Sequence, residues 1–530
     1  MLNHILLGSM RFENAPVFSL KANVAAADCF ENIATWMQTC GNEHQRCGPY
    51  RMNYLPRRII EVGENYNPNF KLRTSDTEEK GLYACLSHRW GAQSASTLKL
   101  TTQNYDRLVN NYVPLETLPK TYADAVMIAR ELQIPYLWID SMCIMQDDNE
   151  DWVHESSMMA HIFQNCVLTI AATTASSSFD GCFLDAPSNQ ETHRLEIPPN
   201  GPYVRSIEIF VSQRTRHLKS SRGHRLSATA SNASLPLLER GWVYQERLLS
   251  PRVIHFIGKD VIWECNSSTK CLCESGPLTE LFSDDGSPKI DHSTSFLFRA
   301  EELHLRWQSV VEEYSRLLLT FPTDRLPALS GLAKRFAEAN GDTYLAGLWA
   351  NTAITDLLWH VISTPTARPV KFQAPTWSWA SVTGAVSYSL VPKEEAMFSS
   401  LATAQFQPEE HTFMGESSSP DLILTGHMIS TESRWGGRSL SSMNDTMWFN
   451  FYPDVRLADM MMPEGLESKE IFCLRLGRIE TKVPMEYFLV LRRIDTISQV
   501  YERIGLAEFS SREMLASVTH VYGQSKVIIR

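Results

Sequence analysis

Three apolar runs organise this chain: Tyr83-Ala84-Cys85-Leu86-Ser87-His88-Arg89-Trp90-Gly91, then Tyr136-Leu137-Trp138-Ile139-Asp140, then Val167-Leu168-Thr169-Ile170-Ala171-Ala172. Helix-length segments separate them, near residues 121–132 and 151–165. Short apolar strands that alternate with helices are typical of βαβ units in a parallel sheet. The sequence therefore predicts an α/β core in which a parallel sheet is flanked by helices.

Polar residues follow the first two runs, where each predicted strand ends. Open parallel sheets bind their ligands in a crevice outside the carboxyl ends of the strands. We therefore expect any active or effector site at this edge of the sheet. The residues placed there are His88, Arg89, Trp90, Asp140, Ser141 and Cys143.

The composition indicates a globular protein with more than one core. The chain has 530 residues, of which 43% are hydrophobic and 21% charged, and this length predicts two or three packed units. A net charge of −11 argues against nucleic-acid and anionic-membrane partners. Eleven cysteines, an N-terminus without a basic signal region and no bilayer-length apolar stretch predict a soluble, intracellular and cytoplasmic protein without a membrane span.

We predict four regions along the chain. Residues 1–80 form an N-terminal preface with a cysteine and histidine element, and residues 81–265 form the α/β domain. Apolar residues recur at helical spacing in much of 266–405, which predicts a mainly helical region. The last segment, 406–530, has the short apolar runs of β-strands. Residues 406–530 are therefore expected to form a β-rich C-terminal region, and the part of the chain that follows the α/β domain is expected to be α+β as a whole.

The preface contains a C-x3-H-x2-C spacing formed by Cys40, His44 and Cys47. These residue types could supply three zinc ligands, with Cys29 as a fourth. No clear fourth ligand is evident, so a loop that packs its small thiols is favoured and no metal is expected. Further along the chain, Cys265, Cys271 and Cys273 match no standard zinc spacing, and we expect a reduced surface cluster.

Three other features have both a functional and a structural interpretation. Glu155 could act as a general acid or base or stabilise a cation, although spacing alone favours a carboxylate that stabilises a helix N-terminus. Cys143 could pair with His88 or His154 as a nucleophile, although a buried thiol is favoured. Trp377 and Trp379 point the same way from an extended segment and could wall a pocket, although a buried strand is favoured.

No common cofactor motif is present. The chain has no G-x-G-x-x-G after a strand, no P-loop, no H-E-x-x-H and no G-x-S-x-G, so none of the nucleotide, metalloprotease or hydrolase chemistries that use them is indicated. We therefore expect no bound cofactor.

Several ordered motifs together closely resemble the fungal HET (heterokaryon-incompatibility) domain over roughly residues 83–247. They are the segments 86–91, 137–148, Asp151-Trp152 with Glu155, and 240–247. The flanking segments around Cys40, 326–331 and 375–380 also resemble those of many HET-domain proteins. The resemblance implies a fungal effector of heterokaryon incompatibility and regulated cell death. A member of the family without catalytic activity would act through protein partners.

The HET family is thought to be related to TIR domains, some of which hydrolyse NAD. The resemblance therefore implies a TIR-like or flavodoxin-like sheet. Residues 151–155 look similar to the glutamate-bearing stretch of such hydrolases, which implies that Glu155 holds the nicotinamide ribose and stabilises an oxocarbenium-like transition state. Asp140, His88 and Arg89 would shape the cleft or bind phosphate, with Trp90, Ser141 and Cys143 beside them.

Two alternatives follow from the same resemblance. HET-like proteins also occur in fungal biosynthetic clusters, which implies a cofactor-free cyclase, pericyclase of the Diels–Alder type or isomerase acting on a terpenoid or polyketide. A deep apolar cavity reached by Trp377 and Trp379 would favour this enzyme. A polar cleft in which Glu155 faces Asp140 or His88 would favour an NAD-cleaving effector. A filled core without a cleft would favour a non-catalytic interaction module.

Overall fold

The computed structural model describes residues 27–91, 98–183, 192–197, 207–212, 235–258, 260–272, 287–297, 300–365, 367–369, 371–388, 397–400, 402–406, 421–432, 435–436, 439–441, 448–456, 470–480, 484–494, 499–510 and 524–530. Residues 1–26 of the predicted preface and Cys273 of the predicted cysteine cluster lie outside the described residues.

Among the described residues between 53 and 271 there are thirteen strands, and nine of them form one central sheet. The strands are β1 (Asn53–Tyr54), β2 (Arg58–Glu61), β3 (Asn69–Thr74), β4 (Lys80–Gly81), β5 (Tyr83–Ser87), β6 (Val113–Pro114), β7 (Tyr136–Trp138), β8 (Leu168–Ala171), β9 (Thr192–Ile197), β10 (Ile207–Ser212), β11 (Arg252–Ile257), β12 (Asp260–Cys265) and β13 (Thr269–Cys271). The order in the central sheet is β13-β12-β11-β8-β5-β7-β2-β3-β6. β1 pairs with β4, and β9 with β10.

Four neighbouring strands form a parallel core at the centre of this sheet. β5 lies between β7 and β8, and β8 also pairs with β11, all in parallel. Every residue of β5 and β8 is buried, as expected for strands that are covered on both faces. Counted along the chain, the order of these four strands is second, first, third, fourth, which flavodoxin-like sheets also use. Assignment to a TIR-like or flavodoxin-like class stays a prediction.

The whole sheet is mixed, whereas the sequence predicts a parallel one. β2 pairs antiparallel with β7, and β12 pairs antiparallel with β11. β11 and β12 are joined by a tight turn with Gly258 at a φ of 57°, and strands joined by so short a turn can pair only antiparallel. β2 and β3 belong to the predicted preface, so the sheet draws on residues outside the predicted 81–265 domain. The four domain boundaries stay predictions.

Ten α-helices accompany the strands: α1 (Ala27–Glu43), α2 (Tyr105–Asn110), α3 (Lys120–Glu131), α4 (Asp140–Cys143), α5 (Asn149–Asn165), α6 (Gly241–Leu249), α7 (Pro288–Ser295), α8 (Ala300–Tyr314), α9 (Ser330–Asn340) and α10 (Ala353–Asp356) among the described residues. α3 connects β5 to β7, and α4 and α5 connect β7 to β8. The side chain of Asp148 caps α5 by accepting hydrogen bonds from the amides of Glu150 and Asp151. This cap fixes where the helix that borders the site begins.

The C-terminal part of the chain is dominated by strands. They are β14 (Tyr344–Leu345), β15 (Leu348–Trp349), β16 (His360–Val361), β17 (Val386–Ser387), β18 (Met397–Ser400), β19 (Thr403–Phe406), β20 (Leu422–Glu432), β21 (Trp435–Gly436), β22 (Ser439–Ser441), β23 (Trp448–Pro453), β24 (Glu470–Glu480), β25 (Met485–Arg493), β26 (Val500–Ser510) and β27 (Gln524–Ile529). Pairings from β20 through β24, β25, β26 and β27 back to β20 close a ring of five strands.

Two large apolar cores hold these elements. One surrounds the central sheet and includes Trp138 and Trp263, and the other joins α8 and α9 to the ring of five strands. Trp377 and Trp379 belong to the second core, where both are fully buried. Among the helices of the described residues, none has both the length and the apolar character needed to cross a bilayer.

Candidate functional site

A cleft of about 1010 Å³ opens at the carboxyl ends of β5 and β7. Its walls also come from one face of α5, the start of α6 and the loops at 176–180 and 318–324. The second loop is held by backbone hydrogen bonds, since the amide of Leu318 donates to the carbonyl of Glu239 over 2.7 Å and the amide of Gly241 donates to the carbonyl of Leu318 over 2.8 Å. The cleft lies at the sheet edge where the sequence predicts a ligand crevice.

Asp140 is the acidic group at the end of β7 that faces this cleft. It is the first residue of α4, and its carboxylate accepts hydrogen bonds from the indole of Trp90 over 3.0 Å and from the amide of Ser141 over 2.6 Å. About a quarter of its side chain, 24%, is exposed. These bonds fix the carboxylate in one orientation while leaving it accessible to a bound molecule, as a positioned catalytic group requires.

A buried layer of polar side chains supports Asp140 from behind. His88 Nε2 lies 2.9 Å from the hydroxyl of Tyr122, which lies 2.7 Å from the hydroxyl of Ser141. Burial lowers the pKa of His88 to about 4, although Asp140 acts in the opposite direction. The imidazole is therefore neutral near pH 7, and its Nδ1 lies 3.7 Å from Asp140. His88 and Ser141 lie near the predicted site but position Asp140 rather than line the cleft.

A second carboxyl group, Glu246, reaches the cleft from α6. Its side chain is buried and accepts a hydrogen bond of 2.5 Å from Ser87, the last residue of β5. Burial raises the pKa of Glu246 to about 7; Ser87 and Arg240 oppose that shift, whereas Asp140 adds to it. Asp140 and Glu246 thus form a pair of carboxyl groups in different surroundings, which is the usual arrangement of an acid or base beside a stabilising charge.

Two arginines supply positive charge to the same cleft. Arg240 donates a hydrogen bond to the carbonyl of His88, which places its guanidinium beside the end of β5. Arg89 is the second residue after β5 and lies 4.0 Å from Glu239. Both side chains line the cleft, and guanidinium groups bind phosphate oxygens in pairs of hydrogen bonds.

Aromatic rings form much of the cleft wall. Trp90, Trp152 and Trp242 contribute three indoles, and Phe179 and Phe321 extend the apolar surface. The indole of Trp242 is fixed by donating a hydrogen bond of 3.0 Å to an aspartate in the 318–324 loop. Planar rings of this kind stack on bases and other flat heterocycles.

The structure corrects the role predicted for Glu155. The face of α5 that lines the cleft is formed by Trp152, Ser156 and Met159. Glu155 lies on the neighbouring face of the helix and is only 2% exposed. Its carboxylate lies 3.4 Å from the guanidinium of Arg58 on β2. Burial raises the pKa of Glu155, and Arg58 opposes this effect. Glu155 therefore belongs to a buried charge cluster beneath β2 and does not face Asp140 or His88.

Three further predicted site residues are also absent from the cleft lining. Cys143 is fully buried, and burial raises its pKa to about 12, so its thiol is protonated and unreactive at neutral pH. Trp377 and Trp379 are core residues. The indole of Trp379 donates to the carbonyl of Gly347 over 3.0 Å, and the carbonyl of Trp377 accepts from the indole of Trp359. The apolar cavity that would favour a cyclase is therefore not formed by these two tryptophans.

Sequence reasoning missed Glu246, Arg240 and Trp242 as site residues. All three lie in the segment 240–247, which the sequence identifies only as one of the motifs that resemble the HET domain. The available signal was the run of polar residues Gln245, Glu246 and Arg247 between the apolar residues 242–244 and 248–249, which indicates polar side chains held inside the fold; all three are buried. A buried carboxyl group without an adjacent cation on its own helix face points to a site.

The cysteine and histidine element of the preface has a fourth member in the structure. The ligand atoms of Cys40, His44, Cys47 and Cys265 all lie within 4.8 Å of one another. Cys29, the fourth ligand considered from the sequence, is outside this group. The expectation of a metal-free loop depended on the lack of a fourth ligand. Cys265 supplies a fourth potential ligand, so this argument against a metal no longer holds. Cys265 and Cys271 are also buried rather than on the surface.

Comparison with known proteins identifies one family. The model of the heterokaryon incompatibility protein (HET) family matches residues 83–246. No curated protein and no solved structure matches the chain. The matched span starts at the first residue of β5 and ends at Glu246, so it contains Asp140 and both arginines of the cleft. The loop at 318–324 lies outside it.

Proposed function

Because this chain belongs to the HET-domain family through residues 83–246, we propose that it is an incompatibility-type effector that hydrolyses a nicotinamide dinucleotide such as NAD. The observation that supports this proposal is the pairing of Asp140 with Glu246 in a cleft that also holds Arg89 and Arg240. The reaction would release nicotinamide and ADP-ribose, and loss of the dinucleotide is the route from this chemistry to cell death.

The chemical groups of the cleft match those of a dinucleotide. The guanidinium groups of Arg89 and Arg240 suit a pyrophosphate, and the indoles of Trp90, Trp152 and Trp242 suit the nicotinamide and adenine rings. A volume of about 1010 Å³ is at the upper end of small-molecule sites, which are roughly 300 to 1,000 Å³. An apolar terpenoid or polyketide would cover the half-buried side chains of Arg89, Asp140 and Arg240 without offering them polar contacts in place of water, which costs desolvation free energy.

Hydrolysis in this cleft would proceed through breakage of the bond between the ribose C1′ and the nicotinamide nitrogen. The bonding electrons leave with nicotinamide, which departs neutral and needs no protonation. Asp140 stabilises the positive charge that develops on the ribose. Glu246 accepts a proton from the water that attacks C1′, so that ADP-ribose forms and one proton is released to solvent. A carboxyl group whose pKa is about 7 suits this transfer near neutral pH.

Nicotinamide release from NAD by the purified full chain tests this proposal. Glu246→Gln should lower kcat by about 100-fold or more, the usual range for loss of a general base, with a smaller effect on KM. Asp140→Asn should lower kcat similarly. Glu150→Gln removes an exposed carboxylate from the first turn of α5 and should leave the rate unchanged, which controls for the general effect of losing a negative charge.

Three results would count against the proposal. Full activity in Glu246→Gln would remove the assigned base, and a loss confined to Glu155→Gln would return the chemistry to the residue chosen from sequence. A folded wild-type protein that neither releases nicotinamide nor binds NAD, as measured by calorimetry, would overturn the function itself.

A further inference from the structure

Four side chains of types that bind metals lie close together, and none of them lines the cleft. Cys40 lies in the last turn of α1, and Cys47 ends the short 3₁₀ helix Gln45–Cys47. His44 lies between these two helices, and Cys265 is the last residue of β12. His44 and Cys265 are 221 positions apart in the chain. Convergence of distant thiols and an imidazole is unexpected in a core that needs only small apolar side chains.

The local backbone arranges the first three donors. The amide of His44 donates to the carbonyl of Cys40 over 3.3 Å, and the amide of Cys47 donates to the carbonyl of His44 over 3.0 Å. These two backbone turns bring the side chains of Cys40, His44 and Cys47, the three potential metal ligands, close to one another. Gly48 follows with a φ of 65°, a left-handed conformation that favours glycine and leads the chain away from the cluster.

Two of the three sulfur atoms accept hydrogen bonds from the protein. Arg252 is buried and donates from Nε to the sulfur of Cys40 over 3.2 Å, while the amide of Ser268 donates to the sulfur of Cys265 over 3.2 Å. Sulfur that accepts hydrogen bonds from a cation and from an amide is suited to being a thiolate, and such outer partners are typical of metal sites. Arg252 also stacks on the ring of Tyr50, 4.2 Å from its centroid, which fixes the cation in place.

We infer that Cys40, His44, Cys47 and Cys265 bind one zinc ion as a structural site. Zinc takes three thiolates and one imidazole in a tetrahedron. With a zinc–sulfur distance of about 2.3 Å, the sulfur atoms of such a tetrahedron lie roughly 3.8 Å apart. The present donors lie within 4.8 Å of one another, so side-chain rotations that move each of them by about half an ångström bring them to this geometry.

The charge of the site and its number of protein ligands indicate a structural zinc site rather than a catalytic one. Three thiolates and one zinc ion carry a net charge of −1, and the buried guanidinium of Arg252 compensates it. All four tetrahedral positions are filled by protein, which leaves no position for a substrate or a reactive water. Zinc rather than magnesium or calcium is indicated because thiolates are soft ligands that the harder ions do not favour.

The site joins α1 to the central sheet. α1 precedes the sheet in the chain, and its last turn is tied to the end of β12. The side chain of Asn266 donates to the carbonyl of Arg46 over 3.1 Å, close to the same point. Because binding energy at a structural zinc site is folding energy, removal of the ion should release α1 from the sheet before the rest of the protein unfolds.

Metal analysis of the purified full chain by inductively coupled plasma mass spectrometry tests this assignment. The wild type should carry about one zinc ion per chain, and Cys265→Ser should carry little. Cys271→Ser is the matched control, since this buried thiol on the adjacent β13 is outside the group and its loss should leave the zinc content unchanged. Cys265→His keeps a zinc ligand at the same position and should retain part of the metal.

A second measurement separates metal loss from misfolding. Wild-type protein treated with a chelator should become sensitive to proteolysis within 27–43 while the central sheet stays protected, and added zinc should restore protection. Replacement by Co²⁺ should give the visible bands of a tetrahedral thiolate complex. A wild type purified without zinc that takes up none when it is added would overturn the assignment. A disulfide among Cys40, Cys47 and Cys265 or an iron–sulfur cluster at these residues would also overturn it.

Discussion

Replacing Glu246 by glutamine should stabilise the protein at alkaline pH although it removes the proposed base. The pKa of Glu246 rises from 4.5 to about 7 on folding because burial disfavours its ionised form. Each unit of pKa difference corresponds to 1.36 kcal/mol, so about 2.5 units amount to roughly 3 kcal/mol. Glutamine is never ionised, and it can accept the hydrogen bond from Ser87 through its amide oxygen.

The sign of this effect fixes its dependence on pH. Below about pH 4.5 the carboxyl group is protonated in both the folded and the unfolded chain, and the two proteins should differ little. As the pH rises towards 7, the unfolded chain ionises freely while the folded one does not, so the wild type loses stability relative to Glu246→Gln. Above about pH 7 the difference should level off near 3 kcal/mol. Urea unfolding of both proteins between pH 5 and 9 measures this difference in unfolding free energy. The contributions of the titrating groups that the two proteins share cancel when one free energy is subtracted from the other.

Glu264 provides a matched buried carboxylate for which the opposite result is expected. Burial alone would raise its pKa, but Arg247, which donates two hydrogen bonds of 2.7 Å, holds that pKa well below its usual value. Glu264→Gln should therefore destabilise the protein at pH 7 by about 3 to 5 kcal/mol, because it leaves the buried arginine unpaired. A difference between wild type and Glu246→Gln that stays constant from pH 5 to 9 would refute the reasoning about Glu246.

Three other perturbations have outcomes that the structure specifies. Gly91→Ala should lower the unfolding free energy by about 2 kcal/mol or more, measured in urea, because Gly91 has a φ of 83° and an added Cβ would lie 2.4 Å from Cβ of Ser177; unchanged stability would contradict this. Arg503→Met should cost about 3 to 5 kcal/mol by leaving Asp454 unpaired in the core, and adding Asp454→Leu should recover most of that loss; no recovery would show that the pair is not what matters. Native protein at pH 8 should not be alkylated by iodoacetamide at Cys143, whose pKa of about 12 keeps it protonated; peptide mass spectrometry detects any modification, and rapid labelling would contradict the burial argument.

The parallel core could be predicted from the sequence, but the edges of the sheet could not. The run at 83–87 and the run at 168–171 are apolar throughout because both faces of these strands are covered, and a helix-length segment separates successive runs. The sequences of β2 and β12 contain no pattern that shows where in the sheet these strands lie. Their places depend on pairings with β7 and β11, and the energy of such pairings resides in contacts across the sheet rather than along the chain.

The candidate site was predictable where it depends on strand ends and unpredictable where distant segments meet. Asp140, Trp90 and Arg89 lie within three residues of a strand end, so the rule that ligands bind at the carboxyl ends of parallel strands predicts their position. Glu155 was misplaced because residues one position apart on a helix differ by about 100° in direction, enough to turn it from the cleft to Arg58. Glu246 and Cys265 join their partners only through tertiary structure, which no local spacing encodes.

The central sheet also determines how the HET domain can be excised or transplanted. A fragment cut at residues 83 and 246 would keep β5, β7 and β8 but would lose β2 beside β7 and β11 beside β8. Both outer strands would then present unpaired backbone groups, which recruit strands from other molecules. Such a fragment is expected to self-associate instead of folding as a monomer. A transferable unit must include residues from β2 to β12, and one that keeps the cleft must also bring the loop at 318–324.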